Sequence, residues 1–256
     1  MIKLRMLGCN GGIGGPGRRT TCYAIDDNIL IDAGTGVGEL DLQQLSRIDH
    51  VLLTHAHIDH IACLPLLTDA VTAIRSETLQ VWALPAVIDI LVKHVFNDLV
   101  WPDFTKIPNA SKPFITLNAL PESGPLQLGD LRFSPLAANH GIPACGYRVE
   151  KNQVSLAFSG DTADCPPFWS ALEQDAQLAA VILECSYPRR MVDMAKISRH
   201  FDVDSVAHRL RGLPEKVASI VVHRKPGMEE EIEEELKQAL PGRDVRFPVH
   251  GQVYEF

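Results

Sequence analysis

A short apolar run, Val51-Leu52-Leu53, empties into Thr54-His55-Ala56-His57-Ile58-Asp59-His60, and that junction constrains the chain more than any other stretch. The run has the marks of a buried strand. A strand ending in His-x-His-x-Asp-His throws four metal-ligand side chains into one loop at a sheet edge. His55 and His57 can reach a single ion through neutral imidazole nitrogens, while Asp59 and His60 are offset and can serve a second ion beside it. Zinc takes nitrogen and carboxylate ligands of this kind, and a catalytic site keeps a position open for water. The plain alternative is a polar turn rich in histidine. With ten histidines in 256 residues, three within six positions favour the metal site.

Further ligand-type residues follow the same rule. The run Arg132–Ala138 leads through Asn139 to His140, Val154–Gly160 leads to Asp161, Ala179–Leu183 to Glu184, and Ala218–Val222 to His223. Each is an apolar, β-prone segment ending on a potential ligand. One histidine or aspartate at a strand end is ordinarily a turn residue or a cap. Five such endings on one rim would gather the side chains into a single cleft over a rigid scaffold.

His55-Ala56-His57-Ile58-Asp59-His60, His140, Ser159-Gly160-Asp161-Thr162 and His223 resemble, in order and rough spacing, the motifs of the metallo-β-lactamase superfamily. The resemblance runs from Leu30-Ile31-Asp32-Ala33-Gly34 to His223. It implies an α/β (α+β) fold, the four-layer αβ/βα sandwich in which two mixed β-sheets are flanked by helices, with a dinuclear metal centre. By that likeness His55, His57 and His140 take one ion, Asp59, His60 and His223 take the other, and Asp161 bridges them. The subgroup holding ribonuclease Z and the class II cyclic-nucleotide phosphodiesterases is more similar still. His140-Gly141-Ile142-Pro143-Ala144-Cys145-Gly146-Tyr147 resembles their shared His-xx-Pro-xx-Gly-Tyr segment. Glu184-Cys185-Ser186-Tyr187 and Val222-His223-Arg224-Lys225-Pro226 resemble the phosphodiesterase forms of the later motifs. Ser198-Arg199-His200-Phe201-Asp202-Val203 departs from the His-Leu-Thr-Pro-like stretch usual there, keeping only the histidine.

Composition agrees with a compact enzyme. The chain is long enough to bury a substantial core within one domain spanning 1–256, and no apolar stretch has the length of a membrane span. The six cysteines are scattered without a C-x-x-C pair, and Ile2–Leu7 reads as a strand rather than a signal-peptide core. Reduced thiols and a cytoplasmic location are therefore expected. Strands are predicted over 2–7, 19–25, 28–32, 50–54, 79–83, 112–117, 130–138, 145–150, 153–159, 179–184 and 218–222. Helices are predicted over 59–75, 85–97, 167–175, 203–212 and 228–239. Two β-rich halves between helices follow from that order.

Three segments tempt a functional reading. Gly8–Gly17 lacks the Gly-Lys-Ser/Thr of a phosphate-binding loop and fits a tight turn passing under the metal cleft. Of Arg18 and Arg19 behind it, at most one can face a phosphate, and Arg19 is the candidate. The aromatic loop 94–113, with Phe96, Trp101 and Phe104, either covers a cleft or packs inward; packing is the better reading. The acidic run Glu229–Glu235 reads as a solvated helix face.

With a net charge of −8, the chain lacks the basic face with which proteins grip polyanions. Ribonuclease Z-like enzymes also usually carry a tRNA-binding arm between the third histidine and the bridging aspartate, whereas His140 and Asp161 are joined here by one hairpin. A small phosphodiester as substrate, no nucleic-acid polymer and no membrane are the expected partners, and a homodimer is left open.

The resemblance thus implies hydrolysis of 3′,5′-cyclic AMP or GMP to the 5′-monophosphate by a hydroxide bridging two divalent ions, zinc first, with manganese or iron accepted by the same ligands. Asp59, His200 and Glu184 are the catalytic candidates. His200 is placed to protonate the leaving oxygen or bind phosphate, and Glu184 to hold its far nitrogen. His50, His94, His208 and His250 are read as structural or surface residues. Ribonuclease Z-like cleavage, hydrolysis of a sulfate ester or thioester, and a non-catalytic binding protein of the same fold stay open.

Overall fold

In the computed structural model, which describes residues 1–256, the strand Leu178–Glu184 has no polar face. Ala180 and Ile182 enter one apolar cluster, Val181 and Leu183 another. Successive strand residues point to opposite sides, so a strand buried this way must lie between two apolar layers. That requirement sets the architecture.

In chain order the strands are β1 (Lys3–Gly8), β2 (Cys22–Ile25), β3 (Ile29–Ile31), β4 (His50–Leu52), β5 (Leu79–Ala83), β6 (Ile115–Ala119), β7 (Leu126–Leu128), β8 (Leu131–Ala137), β9 (Cys145–Lys151), β10 (Val154–Phe158), β11 (Leu178–Glu184), β12 (Ala218–Val222), β13 (Val245–Arg246) and β14 (Val253–Glu255). The α-helices are α1 (Leu42–Ser46), α2 (Ile58–Ile61), α3 (Leu64–Val71), α4 (Pro85–His94), α5 (Pro166–Glu173), α6 (Val192–Ser198), α7 (Val203–Gly212) and α8 (Glu229–Ala239). One sheet runs β14-β1-β2-β3-β4-β5-β6 and the other β13-β12-β11-β10-β9-β8-β7. Both are mixed: β3 to β6 pair in parallel, as do β10 to β13, and the remaining pairs are antiparallel.

Between the sheets lies a core of Leu4, Met6, Ile31, Phe133, Tyr147, Phe158 and Ile182 with their neighbours. The outer face of the first sheet packs Val51 and Leu53 against Leu64, Leu67, Val87 and Leu91 of α3 and α4. The outer face of the second packs Val181, Leu183 and Val221 against Phe168, Trp169, Leu210 and Leu236 of α5, α7 and α8. Helix, sheet, sheet, helix is the four-layer order expected from the sequence.

Some boundaries differ from the sequence expectation for local reasons. The helix expected over 59–75 breaks into α2 and α3, with Cys63 as N-cap and Pro65 in the first turn of α3; proline suits a first turn and not an interior. The strand expected over 19–25 begins only at Cys22, because Thr20 pairs with Asn10 of the glycine loop and bonds Thr35. The short elements α1, α6, β7, β13 and β14 escaped the pattern, since two to seven residues show too little periodicity. The aromatic loop packs inward, with Phe96 and Phe104 buried and Phe104 edge-on to Phe114. The acidic run is less free than its letters suggest. Glu229, Glu231 and Glu233 pair with Arg18, Arg190 and Arg224, while Ile232 and Leu236 of the same helix are buried. No helix is long and apolar enough to cross a membrane.

Candidate metal centre

Because β3, β4, β8, β10, β11 and β12 all run towards one rim, the residues just beyond their ends meet there. β4 is followed by Leu53 and Thr54, and the chain then places His55, His57 at the N-cap of α2, and Asp59 and His60 within α2. His140 follows β8, Asp161 follows β10, Glu184 closes β11 and His223 follows β12.

Two four-residue groups form, His55-His57-His140-Asp161 and Asp59-His60-Asp161-His223, with the ligand atoms of each within 4.8 Å of one another. In the first, His57 Nδ1 lies 3.1 Å from His55 Nε2 and 3.0 Å from His140 Nε2. In the second, Asp59 Oδ2 lies 3.3 Å from His223 Nε2. Asp161 belongs to both: Oδ1 is 3.3 Å from His60 Nε2, and Oδ2 is 3.3 Å from His223 Nε2 and 3.7 Å from His55 Nε2.

Four of the imidazoles are held from behind. His60 Nδ1 donates to Asp32 Oδ2 at 2.7 Å, His140 Nδ1 to the Arg199 carbonyl at 3.0 Å, His55 Nδ1 to Thr54 Oγ1 at 3.0 Å and His223 Nδ1 to Ser186 Oγ at 3.0 Å. A ring that donates from its outer nitrogen turns a lone pair inward. His57 Nδ1 lies between the inward nitrogens of His55 and His140, and a single proton there could bond only one of them, so the three nitrogens converge as a metal-type donor set. Such outer hydrogen bonds are the usual support of metal-binding histidines. The donor set fits two divalent ions that accept nitrogen and carboxylate, with Asp161 common to both.

The electrostatics agree. Burial, reinforced by neighbouring histidines, pushes the pKa of His55, His57 and His140 down, leaving these rings neutral and able to ligate. Burial also disfavours the charged form of Asp161, but His223 and His60 outweigh it and hold the carboxyl well below the usual range. Asp59 is likewise held low, by His223 and His60 against the effect of its burial. At His60 burial is overcome by Asp161 and Asp32, which raise its pKa, so this ring must release a proton before its Nε2 can ligate.

Two carboxylates behind the cluster organise it, one from each sheet. Asp32, just past β3, is fully buried with a left-handed φ of 59°. It accepts the Thr54 N–H on Oδ1, and the Thr54 hydroxyl and His60 Nδ1–H on Oδ2. It therefore steadies His60 directly and His55 through Thr54. Glu184 accepts from His200 Nδ1 at 2.8 Å and the Thr162 N–H at 2.9 Å on Oε1, and from the Ser186 hydroxyl at 2.8 Å on Oε2. Through Ser186 it reaches His223. The His200 ring stacks on that of His223, centroids 5.3 Å apart and 18° from parallel. Burial opposes charge on His200, yet Glu184 prevails and raises its pKa.

Every sequence-predicted metal ligand, together with Glu184 and His200, is brought to this rim. Arg19 is not: its Nε donates to Glu39 Oε1 at 2.5 Å and its Nη1 to the Arg18 carbonyl at 3.2 Å. The glycine loop passes under the cleft as expected, with Gly11 packed on His223 so closely that an added Cβ would fall 2.5 Å from the His223 carbonyl oxygen. Sequence reasoning assigned no role to Asp32, Thr54, Ser186 or Arg199. For Asp32 the signal was present, since it ends an apolar run as the ligands do.

Residues 27–223 match the family described as the beta-lactamase superfamily domain. The chain belongs to the metallo-β-lactamase superfamily. Among curated members, it is 28% identical over 159 residues to 3′,5′-cyclic-nucleotide phosphodiesterase 1 of Saccharomyces cerevisiae, a match covering 53% of this chain and 43% of that protein. It is 25% identical over 159 residues to ribonuclease Z of Methanopyrus kandleri, covering 60% of this chain and 52% of that one. The matches thus span about half of these relatives or less. The crystal structure of unliganded yeast PDE1 superposes with a TM-score of 0.82 at 20% identity, covering 98% of each chain. The four-layer sandwich is therefore the superfamily's fold, and its histidine–aspartate cluster is consistent with the dinuclear metal site typical of that superfamily.

Proposed function

We propose that this member of the metallo-β-lactamase superfamily is a two-metal phosphodiesterase acting on a small cyclic nucleotide, 3′,5′-cyclic AMP or GMP, and releasing the 5′-monophosphate. The observation that carries the reading is the pairing of His200 with Glu184 at 2.8 Å beside two ligand sets that share Asp161. The ligands are His55, His57 and His140 on one side, Asp59, His60 and His223 on the other, with zinc preferred by their chemistry and manganese or iron acceptable. When bound, such ions lower the pKa of water and neutralise phosphoryl oxygens.

The protein's own groups supply the rest. Glu184 accepts a hydrogen bond from His200 Nδ1–H and favours the charged imidazole, leaving Nε2–H as the proton to be given to the leaving 3′-oxygen. Asp161, buried and ionised, presents Oδ1 to His60 and Oδ2 to both His223 and His55, so its carboxylate serves both ligand sets. Asp32 and Ser186 keep His60 and His223 turned inward.

Cleavage of tRNA precursors is the competing reading, supported by the likeness to ribonuclease Z. Against it, β9 and β10, which fill most of the span from His140 to Asp161, are joined by Asn152 and Gln153 alone, both with positive φ in a tight hairpin turn. That connection offers no arm for a polyanion. The test is turnover by metal-reconstituted protein of cyclic AMP, cyclic GMP, a tRNA precursor, a sulfate ester and a thioester. Hydrolysis of a cyclic nucleotide with the tRNA intact is expected. Efficient tRNA cleavage without action on cyclic nucleotides would overturn the reading.

A further inference from the structure

Arg199 stands where the chain departs from the phosphodiesterase-like pattern, and its geometry is unusual. It caps α6 in the left-handed region, φ 54° and ψ 54°, which crowds the Cβ of any residue but glycine. Non-glycine residues hold such a conformation where surrounding contacts over-determine it. Besides the capping bond of the Arg199 N–H to the Lys196 carbonyl, two contacts hold this residue, and both go to His140. The Arg199 carbonyl accepts from His140 Nδ1 at 3.0 Å, and Arg199 Nη1 donates to the His140 carbonyl at 2.7 Å. His140 is thereby gripped at its ring and at its backbone by one residue. The next residue is His200, whose ring meets that of His140 edge-on, with centroids 5.1 Å apart. Arg199 has no carboxylate partner, although Arg19, Arg148, Arg190, Arg209 and Arg246 each have one.

We propose that Arg199 is a positioning residue that latches the His200 segment to the metal ligand His140, so that the ligand cluster and the proton-bearing histidine keep one fixed relation. The inference rests on the metal-hydrolase reading of the cluster and extends it. The left-handed turn aims the Arg199 carbonyl at the imidazole, which fixes His140 with Nε2 inward. The guanidinium closes the clasp from the other side. Losing the guanidinium leaves the carbonyl contact available but unpinned, so His140 and His200 gain freedom together.

The test uses Arg199→Gly and Arg199→Lys beside the unaltered protein, each loaded with cobalt(II) as a visible-spectrum probe of the ligand field. Glycine removes the guanidinium half of the clasp and also relieves the crowded backbone, so the unfolding midpoint of the metal-free protein should hold or rise. Metal affinity by chelator competition should nonetheless fall about tenfold to a hundredfold, the usual effect of losing a group that supports a ligand. The cobalt bands should shift, and kcat should fall more than KM rises. Lysine keeps one donor and should recover part of the affinity and spectrum. Identical affinity and spectra in Arg199→Gly and the unaltered protein would overturn the latch, as would a lowered midpoint in the metal-free form with no rescue by lysine. Failure of the unaltered protein to bind two ions would instead refute the metal reading beneath it.

Discussion

His200 donates a hydrogen bond from Nδ1 to Glu184 at 2.8 Å while its ring stacks on that of the ligand His223, so the acid candidate is tied to the metal cluster without belonging to either set that shares Asp161. His200→Ala should therefore keep both ions and lower turnover of a cyclic nucleotide by roughly a hundredfold or more, the usual scale of acid–base assistance. The loss should shrink on a nitrophenyl phosphodiester, whose leaving group needs no proton. Equal losses on both substrates would assign His200 to phosphate binding, and no loss on either would leave it structural. Steady-state kinetics with parallel metal analysis separates these outcomes.

Asp161 faces His60 with one oxygen and His55 and His223 with the other. Asp161→Ala should accordingly lower metal content from two ions per chain to one or fewer and abolish activity. Retention of two tightly held ions in the variant, measured by elemental analysis after dialysis, would show that the shared carboxylate is dispensable.

Asp32 supports one ligand in each set, His60 directly and His55 through Thr54. Removing such a support ordinarily costs about tenfold to a hundredfold in metal affinity. Asp32→Ala should show that loss in chelator competition. Asp32→Asn keeps an acceptor for one of its donors and should lose less. An alanine variant with unaltered affinity would place the determinant elsewhere.

The fold was legible because its segments differ in period, near-continuous apolar runs at Val154–Phe158 and Leu178–Glu184 against helical spacing of apolar residues at Val203–Gly212. The ligands were legible because they sit at the ends of those runs. What stayed hidden depends on contacts between distant segments. Ser186 matters because it lies between Glu184 and His223, and Arg199 because it closes on His140, 59 residues away. Neither pairing leaves a trace in local pattern. Arg19 misled for the complementary reason: a cation beside a glycine loop suggests phosphate, but Glu39 occupies it.

Gly11 lies against His223, a non-glycine residue in the left-handed region at φ 57°. A Cβ on Gly11 would stand 2.5 Å from the His223 carbonyl oxygen and 3.0 Å from its Nδ1. Neither the backbone nor the ligand ring can yield without disturbing the other. Gly11→Ala should weaken binding at the Asp59-His60-His223 set and lower thermal stability. Unaltered metal binding in Gly11→Ala would show that the loop moves aside at no cost to the site.

Tyr147 of β9 donates its hydroxyl to the Leu53 carbonyl at 2.7 Å, linking the second sheet to the segment of the first that leads into Thr54 and His55. Both residues are fully buried. Tyr147→Phe keeps the ring in the inter-sheet core and removes only the donor, leaving the Leu53 carbonyl without that hydrogen bond. A buried acceptor deprived of its partner costs about 1–3 kcal/mol, and that loss should appear in denaturant unfolding with an unchanged slope. His55 is also held by Thr54, which is anchored on Asp32, so metal stoichiometry should stay at the unaltered value. A stability loss with the ions retained would make the bond a structural tie between the sheets. A loss of metal at unchanged stability would instead make Tyr147 part of what aims His55 into the cluster.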